Sequence, residues 1–266
     1  MRTPAAIACL DGVAFWSPRL PGWDVASHVL AGAAEAPAGA VRRPAPALLP
    51  PTERRRAPDA VALAIEVAAR ACEAAAMPPA ELASVFATTH GDLAITDYMC
   101  ANLLDAPLHT SPTRFHNSVH NAAAGYWCIA VGCHAPYTTV SVAGYSFGAG
   151  LLEALAQLAS SAKPVLFVAY DTEASGPLAG LVSSSGLLGA ALVLAPRRSG
   201  ATVAELHWSV SHETPPRATA PSLRNANLVS GNAMATCLPL FEALARRRGT
   251  VTLAAGPFLA LRLETR

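Results

Sequence analysis

Two short runs, Val165 to Tyr170 (VLFVAY) and Gly189 to Ala195 (GAALVLA), carry no charged side chain. A strand can be apolar at every position only where both of its faces are covered, whereas a strand with one wet face alternates. These runs therefore demand a sheet with packing layers on both sides. Helical spacing between strand-like segments supplies the layers. Pro58-Asp59 opens a helix in which Val61, Leu63, Ala64, Val67, Ala68 and Ala71 recur every three to four residues, ending near Met77-Pro78-Pro79. Leu82 to Thr89 reads as a buried strand, Ile95 to Leu104 as a helix, Val119 to Val131 as an Ala-rich helix, Thr138 to Ala143 as a strand and Gly148 to Ser160 as a helix. Such alternation predicts an α/β fold with a mixed or mainly parallel sheet.

The ends of the chain are sparser. Ala5 to Trp16 predicts an opening strand, followed by a long loop to Pro58 that is proline-rich from Pro37 onward. Beyond Pro196 the pattern predicts a strand over Thr202 to Val210, a loop to Asn232, one helix over Ala233 to Arg247 and a last strand over Phe258 to Leu263. No fixed-period repeat is present.

Apolar residues make up 52% of the 266 positions and charged residues 14%, a balance that points to a large core or to surface covered by a partner in an obligate oligomer. A net charge of +1 gives no electrostatic basis for nucleic-acid binding, and the runs Arg54-Arg55-Arg56 and Arg246-Arg247-Arg248 read as solvated helix ends. Six cysteines form no C-x-x-C pair, which argues for reduced thiols in a cytoplasmic protein rather than a zinc site or disulfide framework. Asp11 within the first apolar run argues against a signal peptide, and no stretch offers the roughly 20 apolar residues of a membrane span.

Gly144-Tyr145-Ser146-Phe147-Gly148 matches G-x-S-x-G, the pattern of a nucleophile on a tight strand-to-helix turn. In chain order Ser…Asp…His, Ser146 would be served by Asp171 and by His207 or His212, giving a serine hydrolase or thioesterase. Against this, His90-Gly91 is the only upstream candidate for a second oxyanion donor, and both histidines lie in a strand-like alternation. His116 and His120, with Asn117 and Asn121, could share a helical face, but two ligands rarely make a metal site and no carboxylate or thiol accompanies them. A polar helix start is the simpler reading, and no metal is expected.

The run SPTRFHNSVHNAAAGYWCIAVGCHAPYTTVSVAGYSFGAGLLEAL resembles the first half of the β-ketoacyl synthases of the thiolase superfamily. The resemblance rests on Ser111-Pro112, Asn121 with Ala124-Gly125, Ala135-Pro136 and the strand at Thr138 to Ala143. It extends to RRRAPDAVALAIEVAARACEAA, VFATTHGD and SSGLLGAALVLAP, covering about residues 50–196. It implies a thiolase-like layered fold with a buried central helix, residues 1–196 as the first half and 197–266 as a shortened second half of a single domain. The family's nucleophilic Cys stands at the head of the buried helix. Here that position is Gly144 counting forward from the strand, or Tyr145 counting back from the helix, and neither has a thiol. No histidine follows His212, whereas the family uses histidines from its second half.

A ketosynthase relative without the Cys resembles a chain-length factor, and SVHNAAAGYW is similar to the short chain-length-factor-like proteins of aryl polyene and xanthomonadin pigment clusters. That resemblance implies a non-catalytic subunit, a β-ketoacyl-ACP synthase as heterodimer partner, substrates on acyl carrier protein as in polyketide and fatty acid biosynthesis, and no cofactor. It also implies that the strand containing Thr138 and Val140 lies at the subunit interface, with Phe115, Val119, Ala123, Tyr126 and Trp127 shaping the partner's acyl tunnel. A stand-alone homodimer that binds acyl carrier protein remains open.

Overall fold

The apolar runs are two adjacent interior strands of a sheet. In a computed structural model that describes residues 6–212, 216–229 and 231–266, the elements in chain order are β1 (Ala6–Trp16), α1 (Trp23–Leu30), α2 (Pro51–Arg56), α3 (Asp59–Ala74), β2 (Ala83–Ala87), α4 (Leu93–Asp105), α5 (Pro112–Asn117), α6 (Ala122–Val131), β3 (Tyr137–Val140), α7 (Ser146–Ser161), β4 (Val165–Asp171), β5 (Leu188–Ala195), β6 (Ala204–His212), α8 (Leu223–Ala226), α9 (Leu238–Ala245), β7 (Gly249–Gly256) and β8 (Leu259–Thr265). The described strands form one mixed sheet in the order β3-β2-β4-β5-β1-β6-β8-β7. β2 pairs in parallel with β3 and β4, and the other pairings are antiparallel.

The full apolarity of β4 is explained by its two faces. Val165, Phe167 and Ala169 join one core cluster with α7 and α9, while Leu166, Val168 and Tyr170 join a second with α3 and α6. β1 changes phase midway: Ala8 and Leu10 share a face with Val13 and Phe15, because a bulge between Leu10 and Gly12 inserts an extra residue. The bulge residue Asp11 is buried and accepts hydrogen bonds from Ser199 Oγ (2.7 Å) and Thr202 Oγ1 (2.6 Å).

Helix α7 is buried between the two arms of the sheet, packing on β2 and β4 at one side and on β7 at the other. Two glycines make this possible. A Cβ on Gly148 would lie 2.2 Å from the Ala254 carbonyl oxygen of β7, and one on Gly150 would lie 2.6 Å from Ala87 Cβ and 2.9 Å from the Phe167 ring. The second Gly of the G-x-S-x-G match is therefore a packing residue, required by the approach of a strand backbone to a helix.

Several expectations are corrected. The loop assigned to residues 17–58 contains α1, whose Ala26, Val29 and Leu30 are buried, and α2, whose last turn holds Arg54-Arg55-Arg56. The segment after Ser111 is the short helix α5, capped by the Ser111 hydroxyl. The helix assigned to 233–247 is a 3-10 turn, Ala233–Cys237, followed by α9, whose Pro239 sits in the first turn where no amide hydrogen is needed. Strand β7 was missed although GTVTLAAG alternates, with Val251, Leu253 and Ala255 buried between less buried neighbours. Ala5 and part of the loop before Asn232 lie outside the described residues. Among those described, no helix is long and apolar enough to cross a membrane.

The glycine packing gives a direct stability test. Gly148→Ala is expected to cost about 1–3 kcal/mol by overpacking, exceeding the gain of about 1 kcal/mol that Ala has over Gly within a helix. Gly125→Ala in α6, where an added carbon meets no atom within 4 Å, isolates that gain. Urea unfolding of the two variants should shift in opposite directions; equal shifts would contradict the packing role.

Candidate functional site

Because β2, β3 and β4 are parallel, the turns that follow them gather at one edge of the sheet, the usual place for a site in such an arrangement. The turn after β3 runs from Ser141 to Tyr145 into the head of α7. Ala143 turns the chain with a left-handed backbone (φ 43°), an unfavourable conformation for a residue with a Cβ. Gly144 is exposed, Tyr145 is half-buried, and a side chain on Gly144 would meet no atom within 4 Å. Ser146 is the first residue of α7, two residues ahead of the start expected from the sequence.

The Ser146 hydroxyl is buried and fully engaged. It donates to the Ala143 carbonyl (2.8 Å) and accepts from the Val142 amide (2.9 Å), so it fastens the turn to the helix. Asp171, at the end of β4, is buried too. Its carboxylate accepts from Thr88 Oγ1 (2.9 Å), the Thr89 amide (2.9 and 3.0 Å) and the His90 amide (3.1 Å). Burial pushes the Asp171 carboxyl above its ordinary range, and these donors pull it back. Its role in the fold is to tie the end of β4 to the turn after β2.

The expected hydrolase constellation does not assemble. Asp171 pairs with Leu188, and the next residue of β5, Gly189, pairs with Trp16 at one end of β1. Trp208 pairs with Ala6 at the other end, and His212 lies further still along β6. Ten residues of strand, about 30 Å, separate these two levels. His207, opposite Ile7, is at the distant end as well, with its Nε2 3.7 Å from Glu205. His116 and His120 are also split: His116 is in α5 with its ring 5.9 Å from Tyr126, and His120 lies in the turn before α6, against Gly91. No group of three metal-ligating side chains occurs among the described residues.

The residues expected at a partner's tunnel divide into two groups. Phe115 and Val119 are exposed. Ala123 and Trp127 are buried in this chain's own core under α3, and Tyr126 is partly buried against it. Thr138 accepts a hydrogen bond from Gln157 of α7 (3.1 Å), and Val140 packs on the same side. The side chains of Ala123, Trp127, Thr138 and Val140 pack within this chain, whose α6 and β3 have their own helices to cover.

The sequence reading missed a surface. Leu104, Leu108 and Ile129 are 84%, 94% and 82% exposed, and Leu103, Phe115 and Val142 are exposed with them. All lie between α4 and the head of α7. β3 is an edge strand of the sheet. The Pro136 and Val140 carbonyls accept from Ser84 and Thr88 of the β2 side (both 3.1 Å), so by the two-residue repeat the backbone groups of Tyr137 and Thr139 face outward.

Solved structures share this fold at low identity. A ketosynthase (ApeO) in complex with its chain length factor (ApeC) from Xenorhabdus doucetiae is 19% identical, with a TM-score of 0.70 over 98% of this chain and 99% of that one. The ishigamide ketosynthase/chain length factor is 17% identical, TM-score 0.71, over 98% and 99%. AntDE:AntF, a type II PKS acyl-carrier protein in complex with its ketosynthase bound to the hexaketide, is 12% identical, TM-score 0.74, over 100% and 99%. The fold is thus thiolase-like, as the sequence resemblance implied. No curated protein matches the chain. The family described as beta-ketoacyl synthase, N-terminal domain, matches residues 28–254. That match spans most of the chain, both arms of the sheet and the whole of α7, and the protein belongs to this beta-ketoacyl synthase family.

Proposed function

We propose that this chain is a non-catalytic, chain-length-factor-like subunit that pairs with a β-ketoacyl-ACP synthase in the cytoplasm and works on chains carried by acyl carrier protein. The observation that carries this reading is the edge strand β3 with outward-facing backbone groups at Tyr137 and Thr139, in a chain that also leaves Leu108, Phe115 and Ile129 exposed. An uncovered edge is a liability for a chain alone and a template for pairing with another, and exposed apolar side chains add to both. The turn at the head of α7 supports the non-catalytic part. It presents Ala143 and Gly144, which have no nucleophile, and Ser146, whose hydroxyl is committed to the turn.

Residues 1–196 then act as the first ketosynthase-like half and 197–266 as a shortened second half, a division that falls within the matched family domain. Phe115 and Val119 are the side chains free to enter a partner's acyl tunnel and limit chain length by steric exclusion. The pigment classes of the sequence resemblance, aryl polyenes and xanthomonadins, are the proposed products.

Co-expression with a ketosynthase should give a heterodimer by size-exclusion chromatography with light scattering. Thr139→Pro removes an outward N–H while leaving the inner ladder intact, the one setting in which a strand accepts proline. It should leave the chain folded and weaken pairing by roughly ten-fold or more, about 1.4 kcal/mol; a heterodimer of unchanged affinity would count against the interface. A fluorophosphonate probe addresses the hydrolase alternative. No labelling is expected, and labelling lost in Ser146→Ala would establish a reactive serine instead.

A further inference from the structure

Helix α6 ends in a Schellman motif. The Cys133 amide donates to the Cys128 carbonyl (2.9 Å), the Gly132 amide donates to Ile129 (3.4 Å), and Gly132 is left-handed at φ 64°. This closure brings the side chains of the outer pair together, ordinarily as an apolar contact. Here both are thiols, Cys128 and Cys133. Cys133 is buried, its sulfur 3.6 Å from the Leu82 carbonyl just ahead of β2, whereas Cys128 is half-buried. Cys72 of α3 is near enough to Cys133 for the two to interact electrostatically. It also opens onto an apolar groove of about 410 Å³ lined by Leu48, Met77, Trp127 and Val131.

We propose that Cys128 and Cys133 are an oxidisable dithiol that a peroxide converts to a disulfide across the end of α6. The more accessible Cys128 sulfur attacks the peroxide: its S–H proton leaves, the O–O bond breaks, and Cys128 becomes a sulfenic acid as one water is released. The Cys133 thiol then attacks that sulfur, the S–OH bond breaks, and a second water leaves as the S–S bond forms. Two thiols lose two hydrogens and two electrons, and the peroxide is reduced. The disulfide fixes the turn leading from α6 through Ala135-Pro136 into β3, so the oxidation state of the pair reaches the edge strand. Burial pushes the Cys128 thiol above its ordinary range, so the reaction accelerates as pH rises and the thiolate fraction grows.

The test uses the full chain carrying Cys100→Ser, which removes the exposed thiol, treated with hydrogen peroxide at pH 7 and pH 9 and then alkylated. Peptide mass mapping should show the segment spanning residues 128–133 lighter by two hydrogens and unlabelled, with faster conversion at pH 9. Dithiothreitol should restore two labelled thiols, and Cys128→Ser should leave Cys133 free. A doubly alkylated segment after peroxide, or a link from Cys133 to Cys72, would overturn the assignment. The mapping on the Cys100→Ser chain leaves both members of the pair unaltered, so the disulfide readout does not rest on the folding of Cys128→Ser.

Discussion

The rest of the structure depends on the close contact between α7 and the β7 backbone. At Gly148 the helix approaches the Ala254 carbonyl at a distance that leaves no room for a Cβ, and at Gly150 it presses on Ala87 and Phe167 of the opposite arm. With α7 on one face and α3 on the other, β4 and β5 are covered on both faces and can be apolar throughout. The same packing fixes where α7 begins, and hence how Ser141 to Tyr145 is presented. A hydroxyl at Ser146 completes the turn by bridging Val142 and Ala143. What looks like a hydrolase motif in one dimension is a packing glycine and a turn-fastening serine in three.

The edge of the sheet has the opposite character. Asp171 ties β4 to the turn after β2, and that turn is joined to the next by the bond from Ser141 Oγ to the Thr89 carbonyl (3.1 Å), so the carboxyl ends of the parallel strands form a rigid rim. β3 then stands at the side of a firm frame with its outer backbone groups unused by the sheet. Leu104, Leu108, Phe115 and Ile129 are exposed elsewhere on the chain. The low charge of the chain, 14%, is consistent with surface that is covered in an assembly.

How much of this was legible in the sequence varied with the physics. The core strands and α3 were readable because burial on two faces or one helical stripe leaves a periodic trace. The central helix α7 and the edge position of β3 came from a family resemblance, since nothing in TTVSVAG states which strand lies last. β7 carries the alternation of a strand with one covered face, Val251 and Leu253 buried between Thr250, Thr252 and Ala254, and was overlooked rather than hidden. The supposed triad failed for a topological reason: Asp171 and His212 are assigned to opposite ends of the sheet by pairings that local sequence does not record. Ala123 and Trp127 were assigned to a partner although α3 needs them, because a helix that is apolar on every side does not announce which face is internal.

The pairing of β3 with a second protein is the claim on which the functional reading turns. Amide hydrogen exchange of the chain, measured alone and then with a β-ketoacyl-ACP synthase, reads it residue by residue. The reading requires the amides of Tyr137 and Thr139, which face outward in the isolated chain, to become strongly protected in the mixture while those of β7 stay unchanged. Exchange at Tyr137 and Thr139 that is the same with and without the synthase would contradict it.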